Sequence, residues 1–212
     1  MGYTLIVGTK EWSSWSLRPY MALRHIGRAF AEEIVALTPG MARHSPSARV
    51  PVLRIEEAGK TTTVWDSLAI CETLAERHPD AKLWPADPMV RAIARAYAAE
   101  MHSGFPDLRE QLSMDFVRRL PLPPLRDATK AQIARIQQVW SEALTGHGGA
   151  DGFLFGAFSI ADCMYAPVVS RFVTYGVELP PLLNAYAAKM MALPAMQDWG
   201  KAAQAEVDAR MA

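Results

Sequence analysis

The sequence predicts an α/β half joined to an all-helical half. Short apolar strands alternate with helical patterns over the first eighty or so residues. Three prolines, Pro79, Pro85 and Pro88, then punctuate a stretch that reads as a linker. Beyond it the apolar residues recur at helical spacing and no strand pattern returns, so the later helices need a bundle core of their own. The expected boundaries are a first domain over 1–82, a linker over 83–88 and a helical domain over 89–212.

Taken in order, Tyr3 to Val7 reads as a buried strand. Ser16 to Ile26 reads as a helix whose broad apolar face holds Leu17, Tyr20, Met21, Leu23 and Ile26. Gly27 is a natural stop for it. Phe30 to Leu37 is the second strand, Val50 to Ile55 the third and Thr61 to Trp65 the fourth; a loop over Thr38 to Arg49 precedes the third. Asp66 or Ser67 caps a helix running to about His78. A strand-helix-strand unit implies two parallel strands, and two closely spaced strands imply a hairpin. In the second half, Pro88 to Phe116 is helical but bent or broken at Gly104 and Pro106. Arg126 to Leu144, Ser159 to Tyr175, Pro181 to Leu193 and Pro194 to Met211 supply the remaining helices.

Composition narrows the function. With 212 residues, half of them hydrophobic, the chain can bury a substantial core. Its 22 Lys and Arg balance 22 Asp and Glu, so nothing points to nucleic acid or an anionic membrane as partner. A small molecule or another protein fits better. The first apolar run is too short for a signal peptide, and no window reaches the length of a membrane span. Cys71 and Cys163 lie outside any CxxC or metal-ligand spacing and read as reduced core thiols of a cytoplasmic protein. His25, His44, His78 and His147 show no metal-ligand spacing either, so no metal is expected.

Three motifs carry chemistry. In Trp12-Ser13-Ser14-Trp15-Ser16-Leu17-Arg18-Pro19, hydroxyls sit at a helix N-terminus, where free N–H groups and the dipole favour an anion. A serine O–H aimed at a bound thiolate would stabilise it further, although Ser13 or Ser14 as a plain helix cap accounts for the same pattern. In Arg49-Val50-Pro51-Val52-Leu53, a proline opens a strand and cannot donate to the ladder. If the Val50–Pro51 bond is cis, the Val50 backbone turns outward and can pair with a peptide-like ligand; an ordinary trans proline at a strand edge is the alternative. In Trp65-Asp66-Ser67-Leu68, capping explains both polar residues. The same geometry would let Ser67 and the first helix N–H groups hold a carboxylate while Asp66 holds an ammonium, as an α-amino acid end requires.

A serine loop after strand one, a Val-Pro strand start about forty residues on and an acid-Ser helix start about fifteen further closely resemble the glutathione S-transferase superfamily. The resemblance runs past the linker, where Gly156-Ala157-Phe158-Ser159-Ile160-Ala161-Asp162 resembles the family's capping box, with Ser159 and Asp162 bonded reciprocally. It implies a thioredoxin-like, glutathione-binding α/β N-terminal domain and an all-α helical-bundle C-terminal domain. Ser13 to Arg18 is similar to the zeta-class serine motif Ser-Ser-Cys-Ser-Trp-Arg. By that match Ser13 takes the thiolate-activating position, with Ser14 the second choice. Trp15 stands where the zeta cysteine would be, which counts against the zeta isomerase reaction. Arg49 would touch the glycine end of glutathione, Val50 beside Pro51 would pair with its cysteinyl backbone, and Asp66 and Ser67 would hold its γ-glutamyl end.

The resemblance further implies a second substrate between the domains. Trp12, Trp15, Met101, His102, Phe105 and Met114 are the pocket candidates, although bulky apolar residues on helices also serve as core. The activity expected is conjugation of the glutathione thiolate to small apolar electrophiles, with glutathione as co-substrate. Glutathione-dependent cis–trans isomerisation and non-catalytic ligand binding are the alternatives. A homodimer is expected by resemblance alone.

Overall fold

The computed structural model describes residues 1–35 and 42–211. The sheet comprises β1 (Gly2–Val7), β2 (Ala31–Ile34), β3 (Val52–Glu57) and β4 (Lys60–Trp65), in the order β2-β1-β3-β4. β1 and β2 are parallel and joined by helix α1 (Ser14–Ile26), as the crossover rule requires. β3 lies antiparallel to β1 and forms a hairpin with β4, Glu57 opposing Lys60. The fold class is the thioredoxin-like α/β half with a helical second half that the sequence predicts.

Helix α2 (Ser67–Arg77) follows β4, and a 3₁₀ turn at Pro79–Ala81 leads into the helical half. That half holds α3 (Pro88–Ser103), α4 (Pro106–Gln111), α5 (Asp127–His147), α6 (Ile160–Tyr175), α7 (Pro181–Ala192) and α8 (Pro194–Met211). No helix among the described residues is long and apolar enough to cross a membrane. One apolar core runs through both halves: Leu17, Met21 and Leu23 of α1 are buried in it, and α1 packs against α2, α6 and α8. The two halves are therefore held together by buried apolar surface, the dominant favourable term in such contacts.

Several boundaries move from their sequence expectations, each for a local reason. The second strand starts at Ala31 rather than Phe30, whose ring instead lies edge-on to Tyr20 at 5.9 Å. Residues 36 and 37 of that expected strand, and 38–41 of the loop after it, lie outside the described residues. The third strand starts at Val52, since Pro51 has no N–H for the ladder. The long helical stretch breaks as expected: α3 ends at Gly104, Phe105 swings to φ 62°, and Pro106 restarts the chain as the first residue of α4.

Helix α6 begins at the capping box. The Asp162 carboxylate accepts from the Ser159 N–H at 2.9 Å and from its hydroxyl at 3.0 Å. It also accepts from the Leu154 N–H at 3.1 Å and the Tyr186 hydroxyl at 3.2 Å. Asp162 is fully buried, so one carboxylate gathers four donors, one from α7 and three from the loop ahead of α6.

Candidate active site

The β1–α1 turn brings the first motif to the N-terminus of α1. Ser13 is the residue preceding the helix, but its hydroxyl does not cap it. It donates instead to the Ser16 hydroxyl at 2.7 Å, and Ser16 Oγ also accepts from the Gly8 N–H at 3.3 Å. The Ser14 hydroxyl makes no hydrogen bond among the described residues, nor do the first-turn N–H groups of Trp15 and Ser16. These are the free donors every helix start leaves, and they concentrate positive potential there. Gly8 makes the geometry possible. A Cβ at that position would come within 3.1 Å of Ser13 Oγ and 3.2 Å of a Val50 methyl, so any side chain there would push these two residues apart by a few tenths of an ångström.

The second and third motifs meet the first across a cleft of about 350 Å³ lined by Trp15, Ser47, Arg49, Val50, Pro51, Trp65, Asp66 and Ser67. The Val50–Pro51 peptide is cis. Val50 lies just ahead of β3, and its backbone N–H and C=O make no hydrogen bond among the described residues. They present a strand edge of the kind a peptide can extend. Asp66 caps α2: its Oδ1 accepts from the Leu68 N–H at 2.9 Å and the Ala69 N–H at 3.2 Å. It does so at φ 76° and ψ 132°, a region non-glycine residues rarely occupy, so the turn stores strain beside the cleft. Ser67 is the buried first residue of the helix, and its hydroxyl accepts a long bond from Arg18 at 3.4 Å.

Trp15 forms the wall between the halves. The Arg18 guanidinium lies 4.2 Å from the centre of its ring, that of Arg109 4.8 Å, and His102 packs edge-on at 5.3 Å. Cations over an indole face add about 0.5–2 kcal/mol each, so the ring is held stiffly. Arg18 is fully buried, and burial together with Arg109 and Arg171 pushes its pKa well down. His102 Nε2 lies 3.2 Å from Asp66 Oδ2. Burial lowers its pKa against the opposing pull of Asp66, which favours the neutral ring donating to that carboxylate. Two helix N-termini and Arg49 thus surround one carboxylate, Asp66, with the buried Arg18 and the half-buried Arg109 behind the Trp15 ring. The balance suits a ligand with several negative groups and one positive group.

The cleft gathers Trp15, Arg49, Val50, Pro51, Asp66 and Ser67, with Ser13 at its Val50 side. Other pocket candidates lie elsewhere. Met101 is fully buried, and Phe105 and Met114 are buried in the same core, so packing rather than a pocket explains their size. Trp12 is 54% exposed and stacks on Arg210, away from the cleft lining. Sequence reasoning missed Ser47, Trp65, Arg18 and Arg109 as neighbours of the site. The two arginines are invisible because a basic residue on a helix gives no sign that it will be buried. Cys71 and Cys163 are buried free thiols, and burial pushes both pKa values up, so neither is a nucleophile at neutral pH. No cluster of three or more metal-ligating side chains occurs among the described residues.

The family model for the glutathione S-transferase C-terminal domain matches residues 91–199, and that for the N-terminal domain matches residues 12–77. The chain belongs to the glutathione S-transferase family. Among its relatives, the rat maleylacetoacetate isomerase is 27% identical over 79% of this chain and 77% of its own length. A probable maleylacetoacetate isomerase of Caenorhabditis elegans is 36% identical, but over 45% of this chain and less than half, 44%, of its own length. Among solved structures, a glutathione transferase homologue from Burkholderia with bound glutathione is 26% identical, with a TM-score of 0.72 over 96% of this chain and 98% of that one. A maleylacetoacetate isomerase from Anaeromyxobacter dehalogenans with bound glutathione is 29% identical, with a TM-score of 0.69 over 93% and 95% of the two chains.

Proposed function

We propose that the cleft binds glutathione and that the chain is a glutathione transferase, adding the bound thiolate to an electrophilic carbon of a small substrate. The observation that carries the reading is the convergence of three parts on one cleft: the Val50 edge, the Asp66–Ser67 helix start and the Ser13 turn. Val50 pairs with the cysteinyl backbone, and Arg49 attracts the glycine carboxylate. Ser67 and the α2 N–H groups take the γ-glutamyl carboxylate, and Asp66 Oδ2 takes its ammonium beside His102. That places the sulfur towards the N-terminus of α1.

The Ser13–Ser16 pair then acts as a relay. Ser13 donates to Ser16. When a thiolate arrives, the Ser16 hydroxyl reverses and donates to Ser13 Oγ, since its own oxygen is already held by the Gly8 N–H. Ser13 keeps its short bond and turns its proton to the sulfur. Each donor polarises the next, which strengthens the last bond. The protein supplies pKa lowering and proximity, with no covalent intermediate on the chain.

A second reading is glutathione-dependent isomerisation, favoured by the relatives named maleylacetoacetate isomerase. The first step is shared: the thiolate adds to a conjugated cis double bond. Rotation about the new single bond and expulsion of the thiolate then return glutathione unchanged. Glutathione accounting separates the two. With an activated aryl halide, conjugation consumes one glutathione per turnover; with a cis-enedione acid, isomerisation changes the ultraviolet spectrum at constant thiol. Binding of glutathione with neither reaction would overturn both in favour of a ligand-binding role.

We further propose a homodimer using the exposed face around Met89 and Ile93 on α3. Met89 is 73% exposed and sits one turn from Ile93. Sedimentation should give twice the 23.4 kDa chain mass, and Met89→Lys should shift it to monomer.

A further inference from the structure

The turn that carries Ser13 is held from the far end of the chain. Both main-chain groups of Lys10 bond to α8: its N–H donates to Glu206 Oε2 at 2.9 Å, and its C=O accepts from the Trp199 indole N–H at 2.8 Å. The next residue is gripped the same way. The buried Glu11 carboxylate pairs with Arg210, and the Glu11 C=O accepts from the Phe116 N–H at 3.0 Å. Arg210 also lies over the Trp12 ring at 4.7 Å. The Lys10 ammonium is buried against the Tyr20 and Trp199 rings, 5.1 Å from each, and pairs with Glu32 at 2.6 Å. Phe116 can reach the turn because Gly200 of α8 gives it room; a Cβ there would come within 2.9 Å of its ring. The turn itself is tight, since the N–H groups of Trp12 and Ser13 both donate to the Thr9 C=O, at 3.1 and 2.9 Å. A shift of Lys10 and Glu11 therefore moves Ser13.

We propose that α8 is a positioning element of the active site, in which Glu206 and Arg210 hold the Thr9–Ser13 turn so that the Ser13 hydroxyl points at the bound sulfur. This rests on the reading of Ser13 as the thiol activator. Glu206 and Arg210 touch no substrate; they act through the Lys10 N–H and the Glu11 carboxylate. Ser67, Val50 and Asp66 are held by other elements, so loosening the turn leaves glutathione binding intact while misaligning the activator. Geometry errors of this kind cost rate far more than affinity.

The test compares the full-length chain with Glu206→Ala, Arg210→Ala, their double variant and Glu206→Gln, well below the melting temperature of each. Two readouts are taken: amide hydrogen exchange of residues 9–13 without ligand, and the thiolate absorbance of bound glutathione against pH. The double variant should exchange its turn amides about tenfold faster and raise the bound thiol pKa by about one unit, with glutathione affinity changed less than about twofold. Glu206→Gln, which keeps an oxygen for the Lys10 N–H, should restore most of the pKa shift. Unchanged exchange in the double variant would overturn the clamp. Faster exchange with an unchanged thiol pKa would overturn its role in positioning. A wild-type thiol pKa equal to that of free glutathione would instead overturn the activation reading, whatever the exchange shows.

Discussion

Ser13→Ala should raise the pKa of the bound glutathione thiol by about one to two units, because a charge-assisted hydrogen bond is worth about 1.5–3 kcal/mol and one unit is about 1.4 kcal/mol. A cysteine thiol titrates near 8.5 when free, so the wild type should hold a substantial thiolate fraction at neutral pH and the variant little. The rate at pH 7 should fall about eight- to twenty-five-fold, in proportion to the thiolate lost. The sign in pH is definite. Activity in either protein rises as the thiol ionises, so the whole rate profile of Ser13→Ala moves to higher pH and recovers in alkali. Ser16→Ala removes only the second donor of the relay and should give a smaller shift in the same direction. If Ser14→Ala alone reproduces the full loss, the role belongs to Ser14, whose hydroxyl makes no other hydrogen bond among the described residues. Ultraviolet difference titration of the three variants decides among these outcomes.

Asp162→Ala should be the most destabilising single change, costing about 3–5 kcal/mol, the range for removing one partner from a buried charged network. Four donors lose their acceptor at once: the Ser159 N–H and O–H, the Leu154 N–H and the Tyr186 O–H. For a chain of this length, about 2–4 °C per kcal/mol translates that into a drop in melting temperature of about 10–15 °C. Asp162→Asn keeps an oxygen for two of the donors and should lose less. The carboxyl also leaves a pH signature. Burial raises its pKa from 3.8 to about 6 despite four donors that pull it down. A raised acid favours the protonated folded state, so its contribution is fully present below 3.8 and is lost as pH rises through 6. The difference of about two units corresponds to about 3 kcal/mol. Urea unfolding of the wild type should show this group's stabilisation growing from pH 6.5 to pH 4, and Asp162→Asn should remove that increment.

Much of this was legible in the residues. The two halves, the parallel β1–β2 unit, the β3–β4 hairpin, the break at Gly104 and the Ser159–Asp162 box all follow from short-range signals. Periodicity, proline and glycine chemistry and capping act within a few residues, so they survive reading one residue at a time. The motif residues Val50, Asp66 and Ser67 were nameable for the same reason: each sits at the start of a strand or helix, where free backbone groups create a site. Individual side chains were harder. Ser13 and Ser14 are neighbours with the same chemistry, and only the fold directs one hydroxyl at Ser16 and leaves the other without a partner among the described residues. Met101 and Trp15 are both bulky apolar residues on helices, yet one is core and the other walls the cleft.

The amino-acid sequence by itself determined the order of elements, the caps that start them and the three motifs of the cleft. Tertiary structure alone decided which groups meet across distance. It buried Arg18 against Trp15 and Ser67, joined His102 to Asp66, and fastened the Lys10–Glu11 turn to a helix nearly two hundred residues away. The physical reason is that backbone geometry and capping are local energies, written in adjacent residues. Pairing between distant charges depends on the packing of both halves, which no local pattern encodes.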